Sequence, residues 1–279
     1  MRFTKMHGCK NDFVIVNCFD ENVTNPGEIA LKVCDRRDGI GADGLILILP
    51  VKNPERADAF MQIYNSDGSP DTMCGNGIRC VAKYIYEHGL VSHDRREISV
   101  DTPVGVKKIS LEVRDGKVQI ISVDMGVPVV TSELPEQINV NNKQLRFFGI
   151  DTGTPHAIYF AQDNPEIASI NSWAASDFSR EGVYFENHER FPERTTSDFV
   201  EIISRDEISM RVFERGCGET MACGTGATAS VYAGFLAGKL NREVLVHLRG
   251  GDLRIRVADD NHCFLIGSAV EVFSGEWLS

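Results

Sequence analysis

Two cysteines stand in matching surroundings. Met73-Cys74-Gly75-Asn76-Gly77 runs into IRCVAKYIYEHG, and Ala222-Cys223-Gly224-Thr225-Gly226 runs into ATASVYAGFLAG. A polar residue at the end of a predicted strand, Asn65 in one case and Glu214 in the other, lies the same distance upstream of each. The stretches between, NSDGSPDTM and ERGCGETMA, are glycine-bearing loops. A C-G-x-G match alone arises easily by chance. Strand, loop, cysteine, glycines and helix in the same order do not, so the chain reads as an internal repeat.

A cysteine at a helix start has a chemical use. The first turn carries unsatisfied N–H groups and partial positive charge. That environment predicts a thiol pKa lowered from about 8.5 toward neutrality. The glycines let a carboxylate approach the backbone N–H groups. If two such starts hold one carboxylate, their sulfurs address opposite faces of its α-carbon. One thiolate removes the α-proton and the other thiol returns one, which is two-base racemisation. The helix dipoles would stabilise the enolate-like charge that develops.

Rival readings are weaker. A cysteine is most often a small buried hydrophobe, but the repeated glycine setting argues against that here. Cys74/Cys80 and Cys217/Cys223 are too widely spaced for the usual zinc knuckle. No C-x-x-C motif supports a dithiol redox role. Neither glycine loop matches a nucleotide fingerprint.

The elements that would position these residues read as follows. FTKMHGCKNDFVIVNCF predicts two strands around a turn, and Asn25–Asp38 a short helix with Pro26 in its first turn. Cys74–Gly89 has amphipathic helical spacing, with Ile78, Val81, Ala82, Ile85 and Tyr86 on one face. Gly224–Gly238 reads as a second helix of small apolar residues, and Glu166–Ala174 as a third. Strands are predicted at 97–102, 105–113, 117–124, 138–141, 144–150, 157–160, 199–204, 209–214, 243–248, 253–259 and 263–268. Many strands with one long helix per half is an α+β pattern.

Composition excludes some partners. The net charge of −11 argues against nucleic acid, whose phosphates need a basic face. No apolar run is long enough to span a bilayer as a helix. The N-terminus lacks a signal-peptide core, so the expected place is the cytoplasm, with reduced thiols.

The segments MHGCKNDFVIVN, GIGADGLILI, YNSDGSPDTMCGNGIRCVAKYIYEHGL, TPHA, FPERTTSDFVEI and RVFERGCGETMACGTGATA resemble the diaminopimelate epimerase family, in order and over almost the whole chain. The resemblance implies two pseudo-symmetric domains, each a strongly curved, mostly antiparallel sheet or barrel around a central helix. Residues 1–122 with 264–279 would form the domain of Cys74, and 123–263 that of Cys223. It implies no pyridoxal phosphate or other cofactor, no metal, a small amino-acid substrate and a homodimer. By motif, Cys74 and Cys223 would be the two bases, tuned by His156 and Glu214. Asn11, Asn65, Gly75, Asn76, Gly224 and Thr225 would bind substrate beside Glu214, and Arg215 would pair with a distal carboxylate. Cys217 aligns with no catalytic position.

Departures bear on the substrate. The family usually carries asparagine where this chain has Thr154 and Thr196, and both asparagines help hold the substrate's distal end. Lys10 replaces a usual glycine, and Gly44 a glutamine of some members. A threonine offers one hydroxyl on a shorter arm than an asparagine amide. Each lost hydrogen bond to a charged group is worth about 1.5–3 kcal/mol. The threonines therefore suggest a substrate other than diaminopimelate, histidine in particular. Diaminopimelate itself, passing from the LL to the meso form, is the alternative.

Overall fold

The computed structural model describes residues 1–169 and 172–278. The chain divides into two compact units, one of residues 1–124 with the C-terminal segment from Gly267, the other of Met125–Ile266. The first unit contains β1 (Arg2–Gly8), β2 (Asn11–Asn17), α1 (Pro26–Val33), β3 (Gly44–Leu49), β4 (Ala59–Asn65) and β5 (Pro70–Asp71). It continues with α2 (Gly75–Glu87), β6 (Glu97–Asp101), β7 (Lys107–Arg114) and most of β8 (Lys117–Gly126), and ends with β19 (Val270–Glu276). The second contains β9 (Val129–Val130), β10 (Glu136–Val140), β11 (Lys143–Asp151), β12 (Pro155–Phe160), α3 (Ala175–Glu186) and β13 (Thr196–Ser204). β14 (Glu207–Glu214), β15 (Gly218–Glu219), α4 (Gly224–Leu236), β16 (Glu243–Leu248), β17 (Gly251–Val257) and most of β18 (Cys263–Gly267) complete it.

The two units share one pairing scheme. In the first, β1–β2 is antiparallel, β2–β3 parallel, β3–β4 antiparallel, β4–β6 parallel, and β6–β7–β8 antiparallel. In the second, β11–β12, β12–β13, β13–β14, β14–β16 and β16–β17–β18 repeat that order of senses. Even the short strands correspond, β5 pairing with β4 and β15 with β14. Parallel neighbours need a crossover. α1 and α2 supply the two crossovers in the first unit, α3 and α4 those in the second. The internal repeat thus extends from the cysteine segments to whole α+β units.

α2 and α4 lie inside their units. Every residue of α2 from Gly75 to Tyr86 is buried, and every residue of α4 from Gly224 to Gly234. β1, β2, β4 and β6 contact α2, while β11, β12, β13 and β17 contact α4. The amphipathic spacing predicted for α2 therefore understates its burial. Its polar side chains turn inward because each finds partners. Lys83 donates to Glu87 and to the Val118 carbonyl. Arg79 donates to the carbonyls of Gly75 and Ser268 and to Asn76 Oδ1.

Two elements differ from the sequence reading. The helix expected at Glu166–Ala174 is instead a 3-10 turn at Pro165–Ile167, followed by α3 from Ala175. Ile170 and Asn171 of that span lie outside the described residues. α3 buries Phe178, Gly182 and Phe185, and both phenylalanines join an aromatic cluster with Tyr159, Phe199 and Phe213. Its glycine and charges mask that stripe in the sequence. β19 was also unforeseen. It pairs antiparallel with β1 while leaving Val270, Val272 and Phe273 exposed, so it shows no burial alternation.

Gly182 gives the fold a test. A Cβ there would fall 2.1 Å from a Phe213 ring carbon, next to Glu214. Gly182→Ala is expected to destabilise by about 1–3 kcal/mol in urea titration. Val183→Ala, on the exposed side of α3, should stay within about 0.5 kcal/mol.

Candidate active site

Cys74 is the N-cap of α2. Its extended backbone (φ −131°, ψ 119°) turns Sγ back over the first turn, where it accepts the Gly77 N–H at 3.4 Å. Asn11, the first residue of β2, reaches the same sulfur. Its Nδ2 donates to Asp43 at 2.8 Å, which leaves Oδ1 facing the cysteine. Oδ1 accepts from the Cys74 thiol at 3.5 Å and from Asn76 Nδ2 at 3.2 Å. Gly75 and Asn76 form the first turn, and Arg79 bonds Asn76 Oδ1 at 2.9 Å. Asn65 ends β4, where its amide donates to Ser69 Oγ at 3.2 Å within its own loop. The structure thus groups Asn11, Cys74, Gly75 and Asn76, and keeps the Asn65 amide turned to Ser69.

Cys223 repeats the arrangement as the N-cap of α4. Its Sγ accepts the Gly226 N–H at 3.4 Å and lies 3.2 Å from Thr225 Oγ1. Glu214, at the end of β14, takes hydrogen bonds from the Thr220 hydroxyl and from Cys223. Burial pushes the Glu214 carboxyl up to about 7, against the lowering pull of Thr220 and His156.

One expectation is overturned here. The helix start was expected to lower the thiol pKa, yet Cys223 is raised well above the usual thiol range. Burial is the largest cause, followed by the negative charges of Glu214 and Asp198. Magnitudes explain the outcome. A helix terminus is worth about 0.3–2 kcal/mol, whereas full burial moves a pKa by up to about 3–5 units. Cys223 is a thiol at neutral pH.

His156, on β12, is buried beside this cysteine's partner Glu214. Its Nδ1 lies 2.7 Å from Asp198 Oδ2, and its Nε2 lies 3.0 Å from Thr154 Oγ1. Thr196 is the register partner of His156 across β12–β13. The Thr196 hydroxyl accepts the Arg215 N–H at 3.2 Å, and Arg215 itself is exposed. Cys217 is exposed too. The second unit therefore joins Thr154, His156, Glu214, Cys223 and Thr225 around α4.

Three residues of these surroundings were missed in the sequence: Asp43, Arg79 and Asp198. The last two had a signal. Arg79 interrupts an apolar helical run, and Asp198 interrupts a strand that is buried from Thr196 to Val200. A charge in such a place needs a partner. The remaining cysteines lack this setting. Burial lifts Cys34 and Cys80 to about 12. Among the described residues, no three metal-ligating side chains cluster.

Glu214 links the site to stability. Its carboxyl holds a proton to about pH 7 in the folded chain, against an ordinary 4.5. The folded state then binds the extra proton between those values, so this group's contribution to stability falls as pH rises through that window. Glu214→Gln removes the dependence. Relative to wild type, the variant should gain of order 2 kcal/mol between pH 5 and pH 8 in urea titrations. A constant difference across that range would contradict the raised carboxyl.

Known proteins share this architecture. The diaminopimelate epimerase family model matches residues 3–131 and 148–272. The diaminopimelate epimerase of Agathobacter rectalis is 46% identical, with 99% of each chain covered. That of Pelotomaculum thermopropionicum is 45% identical at the same coverage. A crystal structure of a probable proline racemase from Agrobacterium radiobacter superposes with a TM-score of 0.78 at 16% identity, covering 99% of this chain and 92% of the other. That likeness shows the fold, and the family match and the identities together show that this chain belongs to the diaminopimelate epimerase family of isomerases.

Proposed function

We propose that this chain inverts the α-carbon of an amino acid without a cofactor, using Cys74 and Cys223 as the two acid–base groups. The observation that carries this reading is the repeated N-cap. In both units a cysteine Sγ accepts the N–H of the second glycine of C-G-x-G. N–H groups at a helix start suit a substrate α-carboxylate. The α-proton passes to one thiolate while the opposite thiol supplies a proton to the other face. The electron pair left on carbon moves into the carboxylate, where the two dipoles stabilise it. Cys223, held as a thiol, serves as acid when Cys74 is the base, and the roles exchange for the other stereoisomer. Asn11 orients Cys74, while His156 and Glu214 control the proton on Cys223. Thiol chemistry of this kind needs reduced cysteines, which favours the cytoplasm.

The substrate reading rests on the relatives. Both named relatives are diaminopimelate epimerases over their full length, which supports LL- to meso-diaminopimelate conversion here. The preference for histidine gains no support from them. One observation keeps it as a second reading: the Thr154 and Thr196 hydroxyls are already engaged, with His156 and with the Arg215 N–H. They offer a distal ammonium and carboxylate less than two free amides would. Arg215, Asn65, Gly75, Asn76, Gly224 and Thr225 complete the proposed substrate contacts.

Deuterium uptake separates these readings. Reduced enzyme in D2O should label the α-carbon of LL-diaminopimelate. Cys74→Ala and Cys223→Ala should each reduce uptake by at least about 10²-fold. Labelling of L-histidine and not LL-diaminopimelate would favour the second reading. Uptake that persists with both cysteines replaced would sink the two-thiol mechanism.

We also propose a homodimer through β19. This strand pairs with β1 and exposes Val270, Val272 and Phe273, an apolar edge of the kind proteins otherwise cover or charge. Light scattering should give a dimer for the native chain and a monomer for Val272→Lys. A native monomer at micromolar concentration would refute the proposal.

A further inference from the structure

Asp198 lies on β13, with its side chain fully enclosed. One carboxylate oxygen, Oδ2, lies 2.7 Å from His156 Nδ1. The other, Oδ1, is buried without any hydrogen-bond partner. Oδ1 presses against the first turn of α4, so closely that a Cβ on Gly226 would meet it at 2.3 Å. Gly226 is also the residue whose N–H caps the Cys223 sulfur. One carboxylate therefore touches both the imidazole on β12 and the turn that holds the Cys223 sulfur.

An ion pair kept only for packing would have both oxygens satisfied, because an orphan buried acceptor is expensive. Here the orphan sits where its charge acts on the thiol. The first unit contrasts with this. At the matching place in its helix, α2 carries the buried Arg79 where α4 carries Thr228.

We propose that Asp198 is a positioning residue of the Cys223 half-site: it fixes His156 with Nδ1–H turned inward and Nε2 toward Thr154, and it sets its second carboxylate oxygen against the turn that caps the Cys223 sulfur. The role in turnover rests on the racemase reading above. Within its unit, the titratable groups around Cys223 are Glu214 from β14, Asp198 from β13 and, through Glu214, His156 from β12. α4 adds only the Thr225 hydroxyl and the Gly226 N–H, which favour the thiolate. Glu214 and Asp198 both oppose it.

The test reads the thiol and the imidazole without substrate. In Asp198→Asn, the pH midpoint for iodoacetamide alkylation of Cys223, followed by peptide mass spectrometry, should fall by about one unit or more. The Cys74 midpoint should not move. An unmoved Cys223 midpoint, or equal movement at both cysteines, would overturn the proposal. A nitrogen-15 NMR measurement on the native protein stands even where the variant fails to fold. His156 Nδ1 should carry a proton, and an Nε2–H form with bare Nδ1 would overturn the assignment. With diaminopimelate or histidine in D2O, Asp198→Asn should shift the alkaline-going limb of the α-exchange profile in step with the Cys223 midpoint. Absence of α-exchange in the native enzyme with a shifted midpoint would refute the function and leave the Asp198 assignment standing. Native exchange with an unmoved midpoint would do the reverse.

Discussion

A cysteine that caps a helix with its sulfur constrains everything around it. The sulfur must fold back to accept an N–H of the first turn, which requires the extended backbone found at both Cys74 and Cys223. The turn must then be stripped of side chains where neighbours press on it. At Gly77 a Cβ would come 2.8 Å from Ile46, and at Gly226 it would come 2.3 Å from Asp198. The helix behind the cap must also be held on all sides, or the cap would sway. Burial of α2 and α4 along nearly their whole length meets that need. The strand scheme follows, since a central helix calls for a sheet that returns around it through parallel steps and crossovers.

The same cap sits in two different electrostatic settings. Arg79 is buried within α2 and donates to the Gly75 carbonyl and to Asn76 Oδ1 in its first turn. Glu214 and Asp198 flank Cys223 and add their charges to the effect of burial. A helix dipole common to both cannot distinguish them. The side chains around them can: a buried arginine in the first turn of α2, and two carboxylates facing Cys223.

Much of this was legible in the sequence for a specific reason. The C-G-x-G pair with its upstream strand and downstream helix is a local pattern, and local patterns survive in one dimension. The helix starts at Cys74 and Cys223 follow from it directly. The role of burial at Cys223 was not legible, because a thiol's depth depends on strands far away in sequence. α3 was displaced from its expected place for a similar reason. Its buried stripe of Phe178, Gly182 and Phe185 is meaningful only against Phe199 and Phe213. β19 was lost because its apolar residues point outward, so no inside–outside alternation marks it. Asp198 was visible as an oddity, a carboxylate in a buried strand, but only the fold brings it to His156 Nδ1.

Thr154 and Thr196 show how a substitution changes meaning once its partners are known. Read alone, each is a shortened asparagine that has lost hydrogen bonds to the substrate. In the fold, each hydroxyl has acquired an internal duty. Thr154 lies on His156 Nε2, the end of the chain that starts at Asp198, and Thr196 holds the backbone of Arg215. The pair therefore acts on the same half-site from two directions. Thr154 completes the hydrogen bonding of the imidazole beside Glu214, and Thr196 sets where Arg215 leaves its strand. A change at Thr154 reaches the imidazole that Asp198 holds, and a change at Thr196 reaches the backbone of Arg215, one residue beyond Glu214.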